Sequence, residues 1–217
     1  MPRMKRGAAK RTYDASRRRQ AAERTREEIL LNTRRLFTEH GYAATTVATI
    51  AEAANVAVDT VYASVGTKQE LLRILIETAI SGGSHAVPAE QRDYVRAMQT
   101  EPDARKKLTL YAQALRQIHG RLAPLLRVLK DAAAVDKELD PLWKSIADRR
   151  AANMRRFAKE LANTGQLRAE IDVEEVADVI WATNSPEFYL LLVSERGWAP
   201  ERFETWLAQT WCRLLLN

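Results

Sequence analysis

Residues 45–68 read TTVATIAEAANVAVDTVYASVGTK, and this stretch decides the fold of the first part of the chain. Apolar side chains recur at helical spacing before Asn55 and again after it. They are Val47, Ile50, Ala51 and Ala54, then Val58, Val61 and Tyr62. Asparagine tolerates the left-handed backbone of a tight turn, so the stretch predicts two short helices joined at Asn55. Helices this short are unstable alone in water and require a helical scaffold.

Two interpretations of the paired helices differ in function. A helix-turn-helix places the side chains of its second helix in a DNA major groove, whereas an ordinary helical hairpin only fills an all-α bundle. Residues 1–26 contain ten bases and two acids, although the net charge of the whole chain is only +6. This basic segment favours a polyanion partner. The alternative is that it is a solubilising tail.

The composition of the chain predicts an all-α protein of about nine helices. Only 8 glycines and 7 prolines occur in 217 residues, and no long alternating segment suggests a strand. No apolar run approaches the roughly 20 residues that span a bilayer. The single cysteine, Cys212, excludes an intramolecular disulfide and fits a reducing cytoplasm. We therefore expect a cytoplasmic protein without a membrane segment.

The chain divides into three predicted regions. Residues 1–24 are expected to form a flexible basic arm, because nine of them are Lys or Arg. Residues 25–80 are expected to form an N-terminal three-helix DNA-binding domain that contains the helix-turn-helix. Residues 85–217 are expected to form a C-terminal helical domain that binds a ligand and dimerises.

Capping patterns predict where several helices begin. Thr25 and Thr67 each start a T-x-x-E box, and Asp172 starts a D-x-x-E box. Thr45 or Thr46 is expected to cap the second helix, where free amides also suit a phosphate. Lys68 falls in the first turn of the fourth helix, an unfavourable place for a cation. A neighbouring DNA phosphate would explain it.

Glycine and proline predict the breaks in the second half of the chain. Gly120 is expected to end one long helix, and Pro124 to lie in the first turn of the next. Pro186 is expected to kink or restart another helix, and Pro200 to start the last one. The last two helices carry more apolar surface than one small bundle buries. They are therefore predicted to pair with a second copy as a four-helix interface.

In its first part, the chain resembles the TetR family of transcriptional regulators. The match runs from about Thr25 to Leu72. It is carried by the motifs around Phe37, His40, Gly41 and Tyr42, by Thr45-Thr46-Val47, Ile50-Ala51, Ala54-Asn55-Val56 and Thr60-Val61-Tyr62, and by Lys68-Gln69-Glu70-Leu71-Leu72. Asn55 replaces the usual turn glycine, Ala57 the usual cap, and Ser64 and Val65 a heavier aromatic anchor.

The resemblance implies a homodimer that binds double-stranded DNA at a palindromic operator. By position, the resemblance implies phosphate contacts by Thr46, Tyr62 and Lys68, and a base-reading face formed by Val58, Asp59, Thr60 and Ala63. Thr45 is a DNA-binding candidate as the alternative cap of the second helix. The last two helices would form the dimer interface.

An effector site is predicted from aromatic and polar residues on several inward faces. The candidates are Tyr111, Trp143, Met154, Phe157, Trp181, Asn184 and Phe188. Plain core packing is the alternative, since aromatic residues at helical spacing commonly pack against one another. The kink at Pro186 frees carbonyl groups beside Asn184, so a polar spot would lie within an apolar wall. We expect a small, largely apolar effector there to move the fourth helix and so change the spacing of two recognition helices.

The remaining chemistry does not favour an enzyme. His40, His85 and His119 are scattered and show no metal-ligand spacing with Cys212. No phosphate loop or nucleophile motif occurs, so no metal or cofactor is expected. The leading interpretation is a ligand-responsive repressor. The alternatives are a sequence-indifferent nucleoid-type binder, an activator of the same fold, and a helical assembly protein without DNA binding.

Overall fold

The computed structural model of the chain describes residues 8–83 and 85–217, with side chains from residue 16 onward. The described residues form ten α-helices and no β-strand, so the predicted all-α class is confirmed. The helices are α1 (Ala8–Ala44), α2 (Val47–Ala53), α3 (Val58–Ser64), α4 (Lys68–Ser81), α5 (Asp93–Thr100), α6 (Ala104–Ala133), α7 (Asp140–Ala162), α8 (Val173–Thr183), α9 (Pro186–Tyr189) and α10 (Pro200–Leu215). A π-helical segment, Leu190–Glu195, continues α9.

The start of α1 lies well before the predicted cap. The Thr25 hydroxyl donates to the Ala21 carbonyl at 3.0 Å, as a threonine inside a helix does, so the capping box predicted there is wrong. Residues 18–24 are Arg, Gln, Ala and Glu, all good helix formers, and nothing in them stops the helix. Of the predicted arm, residues 8–24 are therefore helical, and residues 1–7 lie outside the described residues. At its other end α1 is interrupted at Gly41, whose φ is +79°.

Several predicted caps are present in the structure. The Asp172 carboxylate accepts a hydrogen bond from the Glu175 amide at 2.8 Å and starts α8. Ser185 caps α9 by accepting from the Phe188 amide at 3.1 Å, so the helix restarts at Pro186 as predicted. Glu70 accepts from the Thr67 amide at 2.7 Å, which confirms the box before α4.

The predicted break between Gly120 and Pro124 is wrong. Helix α6 runs without interruption through both residues. A proline inside a helix removes the hydrogen bond to the carbonyl four residues earlier, which is that of Gly120. Fifteen residues of α6 are buried, so tertiary packing holds the helix across this defect.

The chain forms two compact units that divide inside α4, between Leu72 and Arg73. The core of the N-terminal unit contains Ile29, Phe37, Ile50, Val61 and Leu71, all fully buried. The core of the C-terminal unit joins residues of α6, α7, α8 and α10. At its centre the Trp211 ring stacks on Tyr111 at 5.7 Å, and its indole nitrogen donates to the Thr183 hydroxyl at 2.7 Å.

Candidate functional site

The turn between α2 and α3 has the geometry that the sequence predicts. Asn55 adopts a φ of +52°, and the Val56 amide donates to the Ala51 carbonyl at 3.0 Å. Ile50 and Val61 are fully buried on the inner faces of the two helices. Burial of these faces leaves the opposite side of α3 towards solvent.

The outer face of α3 carries most of the residues predicted to meet DNA. Val58 is 40% exposed and Tyr62 50% exposed. Asp59 and Ala63 are also exposed, whereas Thr60 is half-buried. Residues four apart lie on one side of a helix, so Val58 and Tyr62 form one row and Asp59 and Ala63 a second row beside it. The structure thus groups four candidates on one surface, which we call the α3 face (Val58, Asp59, Tyr62 and Ala63).

Thr46 and Thr45 differ sharply in position. Thr46 is exposed and caps α2: its hydroxyl accepts from the Thr49 amide at 3.1 Å, and the Thr49 hydroxyl accepts from the Thr46 amide at 3.0 Å. Thr45 is buried, and its hydroxyl lies 2.8 Å from the Gly41 carbonyl. The Thr45 hydroxyl therefore faces the interior of the N-terminal unit and not the surface that carries Thr46, and a contact between Thr45 and DNA stays a prediction.

Lys68 has a structural role that the sequence analysis did not foresee. Its ammonium donates to the carbonyls of Tyr42 and Thr45, each at 2.9 Å, and lies 4.0 Å from the centroid of the Tyr42 ring. These carbonyls belong to the segment that ends α1, where partial negative charge favours a cation. This contact explains a lysine in the first turn of α4. Its proposed contact with a phosphate stays a prediction.

The end of α3 is anchored by a long-range contact. The Arg26 guanidinium donates to the Ser64 carbonyl at 2.7 Å, joining α1 to the last turn of α3. Arg26 belongs to the basic segment 1–26, and the replacements at Ser64 and Val65 predict a lightly anchored helix. No local pattern reveals this pair, because its members are 38 positions apart. Arg18 and Arg19, earlier on α1, are exposed.

The C-terminal unit contains a cavity of about 450 Å³, within the range of small-molecule sites. Three of the predicted effector residues line it: Tyr111, Met154 and Asn184. Phe157, with Tyr111 and Met154, lines an adjoining cavity of about 110 Å³.

The other three predicted effector residues line neither of these cavities. The Arg150 guanidinium lies over the Trp181 ring, 4.4 Å from the ring centroid. Phe188 stacks on Trp206, with the two ring centroids 5.5 Å apart. Trp143 is half-buried outside both cavities. Helical spacing alone does not distinguish a cavity wall from core or surface packing, and the structure does not bring these three side chains into either cavity.

A polar cluster lies in the wall of the larger cavity. The Asn184 amide nitrogen donates to the Tyr111 oxygen at 2.8 Å and to the Met154 sulfur at 2.9 Å. The Tyr111 hydroxyl in turn lies 3.5 Å from that sulfur. Burial raises the pKa of Tyr111, so this phenol is neutral at physiological pH.

Two residues that the sequence analysis missed complete the cluster. His119 is buried, and its Nε2 lies 2.9 Å from the backbone carbonyl of Asn184. Burial lowers the pKa of His119 to about 4, so the ring is neutral and Nε2–H is the donor. Arg150 donates to the Trp181 carbonyl at 2.9 Å, and burial lowers its pKa. His119 was noticed only as a scattered histidine, and Arg150 as one of many charges on α7.

The remainder of the cavity wall is mainly aliphatic, with charged groups on part of it. The aliphatic members are Ile80, Val87, Leu115, Ile118, Leu122, Leu126 and Ile146. Four arginines and two glutamates also line it: Arg92, Arg149, Arg150, Arg156, Glu77 and Glu90. Glu77 pairs with Arg149 at 2.7 Å, and Glu90 with Arg156 at 3.6 Å. Positive charge therefore exceeds negative charge around this cavity.

Within 8–83 and 85–217, no helix is both long and apolar enough to cross a bilayer. In the same residues, no group of three or more His, Cys, Asp or Glu side chains is placed to hold a metal ion.

Comparison with known proteins was decisive for the N-terminal unit. Residues 29–75 match the sequence model for bacterial regulatory proteins of the TetR family. The N-terminal domain is a TetR-family domain. The matched residues include the end of α1, all of α2 and α3, and the first half of α4. The resemblance drawn from the sequence motifs is thereby confirmed. Among curated proteins, none matches the chain significantly.

Solved structures of the same fold cover nearly the whole chain. NalD from Pseudomonas aeruginosa, described as the secondary repressor of the MexAB-OprM multidrug efflux pump, has a TM-score of 0.71 at 20% identity, covering 91% of this chain and 98% of NalD. The fatty acid degradation regulator FadR from Bacillus halodurans has a TM-score of 0.66 at 18% identity, with 86% and 94% covered. A protein from Saccharomonospora viridis in complex with choline has a TM-score of 0.66 at 16% identity, with 88% and 97% covered. At these identities the likeness shows the TetR-like fold and not a shared ligand.

Proposed function

We propose that this protein is a DNA-binding transcriptional regulator, and that it acts as a ligand-responsive homodimeric repressor. The observation that carries the proposal is the α3 face, an exposed surface on the second helix of a TetR-type helix-turn-helix. Val58, Asp59 and Ala63 would meet base edges, with Thr60 at the margin of that surface. Thr46, Tyr62 and Lys68 would contact phosphates.

The basic part of α1 supports binding to DNA. Arg18 and Arg19 are exposed on a helix, where they can follow a phosphate backbone. They add affinity for any sequence, whereas the α3 face would supply discrimination between sequences.

A homodimer through the last two helices is part of the proposal. Leu191, in the π-helical segment after α9, is 46% exposed, and Leu214 of α10 is 47% exposed. Large aliphatic side chains this exposed suit an interface between copies. A symmetric dimer would present two α3 faces to the two halves of a palindromic operator, about 34–36 Å apart.

Ligand response would use the cavity of the C-terminal unit. Helix α4 supplies Glu77 and Ile80 to the cavity wall and Lys68 to the segment that ends α1. A ligand that displaced α4 would change the geometry of the DNA-binding domain, and with it the affinity for the operator. NalD is described as a repressor, and the S. viridis protein is in complex with choline, which makes repression and a small-molecule effector the favoured form of this function.

The proposal is tested by selecting DNA from a random pool with the purified protein and then measuring affinity for selected and random duplexes. A specific regulator should prefer selected DNA by roughly 10³-fold or more, and the selected site should be palindromic. Val58→Ala and Ala63→Ser should alter the selected sequence, while Val135→Ala, an exposed site in the C-terminal unit, should not.

The runner-up functions give different results in the same measurements. Equal affinity for random and selected DNA would support the nucleoid-type binder and overturn specific regulation. Absence of DNA binding would support the helical assembly protein. If the protein is a specific regulator, a reporter gene placed behind the selected site distinguishes a repressor from an activator, because a repressor lowers its expression and an activator raises it.

A further inference from the structure

Three polar atoms around the large cavity have no hydrogen-bond partner within the described part of the chain. They are His119 Nδ1, Asn184 Oδ1 and Arg150 Nε, and all three are buried. His119 is 2% exposed and Asn184 1% exposed, and each of the three residues lines the cavity. Buried polar groups in folded proteins are almost always paired, so three orphans around one cavity point to a missing partner there.

The neighbours of each unpaired atom determine whether it is a hydrogen-bond donor or an acceptor. The Met154 sulfur can only accept, so the Asn184 atom beside it is the amide nitrogen and the orphan is the carbonyl oxygen. The His119 Nε2 faces a carbonyl oxygen and must carry the hydrogen, so the orphan Nδ1 of the neutral ring is an acceptor. Arg150 Nε is a donor. The cavity therefore offers two acceptors and one cationic donor.

Arg150 makes no ion pair within 4 Å among the described residues, whereas Arg149 and Arg156 each pair with a glutamate. The carboxylate whose charge acts on Arg150 is Glu187, and that carboxylate pairs directly with Lys130 at 3.3 Å. Arg150 is instead held by the Trp181 carbonyl and ring. A half-buried guanidinium in this setting favours an anion, which a carboxylate supplies with matching geometry.

We propose that the cavity binds a small, mainly apolar acid that carries a hydroxyl or N–H donor, with its carboxylate on Arg150 and its donor on His119 Nδ1 or Asn184 Oδ1. This inference rests on the proposed function, since it names the chemical class of the effector. Arg150 donates to the Trp181 carbonyl in the last turn of α8, and Asn184 caps the same helix three residues later, so the two attachment points lie roughly 5 Å apart along the helix axis. A hydroxylated aromatic acid carries an anionic group and a hydrogen-bond donor on one apolar ring, and the aliphatic wall would enclose that ring.

Calorimetric titration of the protein without DNA tests the proposal with a matched set of probes. The set is 4-hydroxyphenylacetate, phenylacetate (no donor), 4-hydroxyphenylacetamide (no charge) and tyramine (opposite charge). We expect 4-hydroxyphenylacetate to bind at least about tenfold more tightly than either phenylacetate or the amide, and tyramine to bind most weakly. Equal affinities across the set, a preference for tyramine, or no heat from any probe would overturn the inference.

Substitutions at the unpaired polar residues separate direct recognition from a structural role. Arg150→Gln should remove the preference for the acid over its amide while the amide keeps its affinity. Either His119→Phe or Asn184→Leu, depending on which acceptor the hydroxyl uses, should remove the preference for 4-hydroxyphenylacetate over phenylacetate, and a preference that survives both would contradict the proposed acceptors. Arg155→Gln, at an exposed position of α7 outside both cavities, is the matched control and should preserve both preferences. Equal weakening of all probes by Arg150→Gln would indicate loss of structure and would contradict direct recognition.

The outcome for DNA is read separately. If the acid binds as expected but leaves DNA affinity unchanged, the ligand class stands and ligand response fails. If the protein binds a selected operator and no probe, the proposed regulator stands and the ligand class fails.

Discussion

Lys68 links the stability of the N-terminal unit to DNA binding in one side chain. Its ammonium satisfies the carbonyls of Tyr42 and Thr45, and it is also a proposed phosphate contact. We expect Lys68→Met to destabilise this unit by about 1–2 kcal/mol, because two acceptors lose their donor. We also expect the salt dependence of DNA binding to weaken by about one charge per protomer.

These two effects of Lys68→Met need separate measurements. All five tryptophans lie after residue 140, so hydrogen exchange, and not fluorescence, reports on the N-terminal unit. Lys144→Met, an exposed lysine of the C-terminal unit, is the control. Unchanged exchange would contradict the structural role, and an unchanged salt slope would contradict the phosphate contact.

His119 predicts a loss of stability of the C-terminal unit in mild acid. Its pKa is about 4 in the folded protein and about 6.5 in the unfolded chain, so the unfolded state binds more protons between these values. Stability from this group is therefore intact above pH 6.5 and falls as the pH drops towards 4, by at most about 3 kcal/mol. His119→Gln can keep a hydrogen bond to the Asn184 carbonyl but cannot titrate. Urea unfolding followed by tryptophan fluorescence should show a shallower decline for this variant, and identical pH profiles would refute the role of His119.

At the scale of helices, α1 shows what the sequence could and could not predict. Its end at Gly41 and the caps of α2, α4 and α8 were predictable, because these depend on residues three or four positions apart. Its beginning was not, since Thr25 has the pattern of a cap yet lies inside continuous helix-forming sequence. The local signal was present and the context overrode it.

The candidate site likewise contains features that the sequence could predict and features that it could not. The α3 face was predictable because a seven-residue helix with Val61 buried must expose the side that carries Val58 and Tyr62. The Arg26–Ser64 and His119–Asn184 pairs were not, because their members meet only after distant helices have packed. In the cavity, the sequence identified Tyr111, Met154 and Asn184 by residue type and helical face. It had no means of separating them from Trp181 or Phe188, which pack elsewhere.

The N-terminal part of α1 carries a prediction of its own. We expect Arg18→Gln together with Arg19→Gln to lower affinity for selected and random DNA by the same factor, because phosphate contacts carry no sequence information. The salt slope should fall by about one for each contact removed. Fluorescence anisotropy at several salt concentrations measures both quantities.

The control for this pair is Arg127→Gln together with Lys144→Gln, which removes the same charge from exposed positions of the C-terminal unit. If the control weakened binding equally, only net charge would matter. If Arg18→Gln and Arg19→Gln changed the sequence preference and not the salt slope, α1 would be reading bases.

At the scale of the whole molecule, the exposed apolar residues near the C-terminus connect assembly to recognition. Leu191 and Leu214 come from different helical segments of the C-terminal unit, and each is nearly half exposed. If both residues lie in a symmetric interface, each of them occurs twice in it, because both copies contribute the same surface. Replacing them with Glu would bring like charges together in an apolar contact and separate the protomers.

We therefore expect Leu191→Glu together with Leu214→Glu to give a monomer in sedimentation velocity, with the helical circular dichroism spectrum retained. A monomer engages one half-site at a time and loses the advantage of linked binding, so affinity for the palindrome should fall by about 10²–10⁴-fold. Affinity for an isolated half-site should stay unchanged, since the α3 face is untouched. Val135→Glu, at a residue that is 80% exposed, is the control and should remain dimeric.

A Leu191 and Leu214 variant that stayed dimeric would place the interface elsewhere on the C-terminal unit. A monomer that kept full affinity for the palindrome would show that dimerisation does not contribute to operator binding.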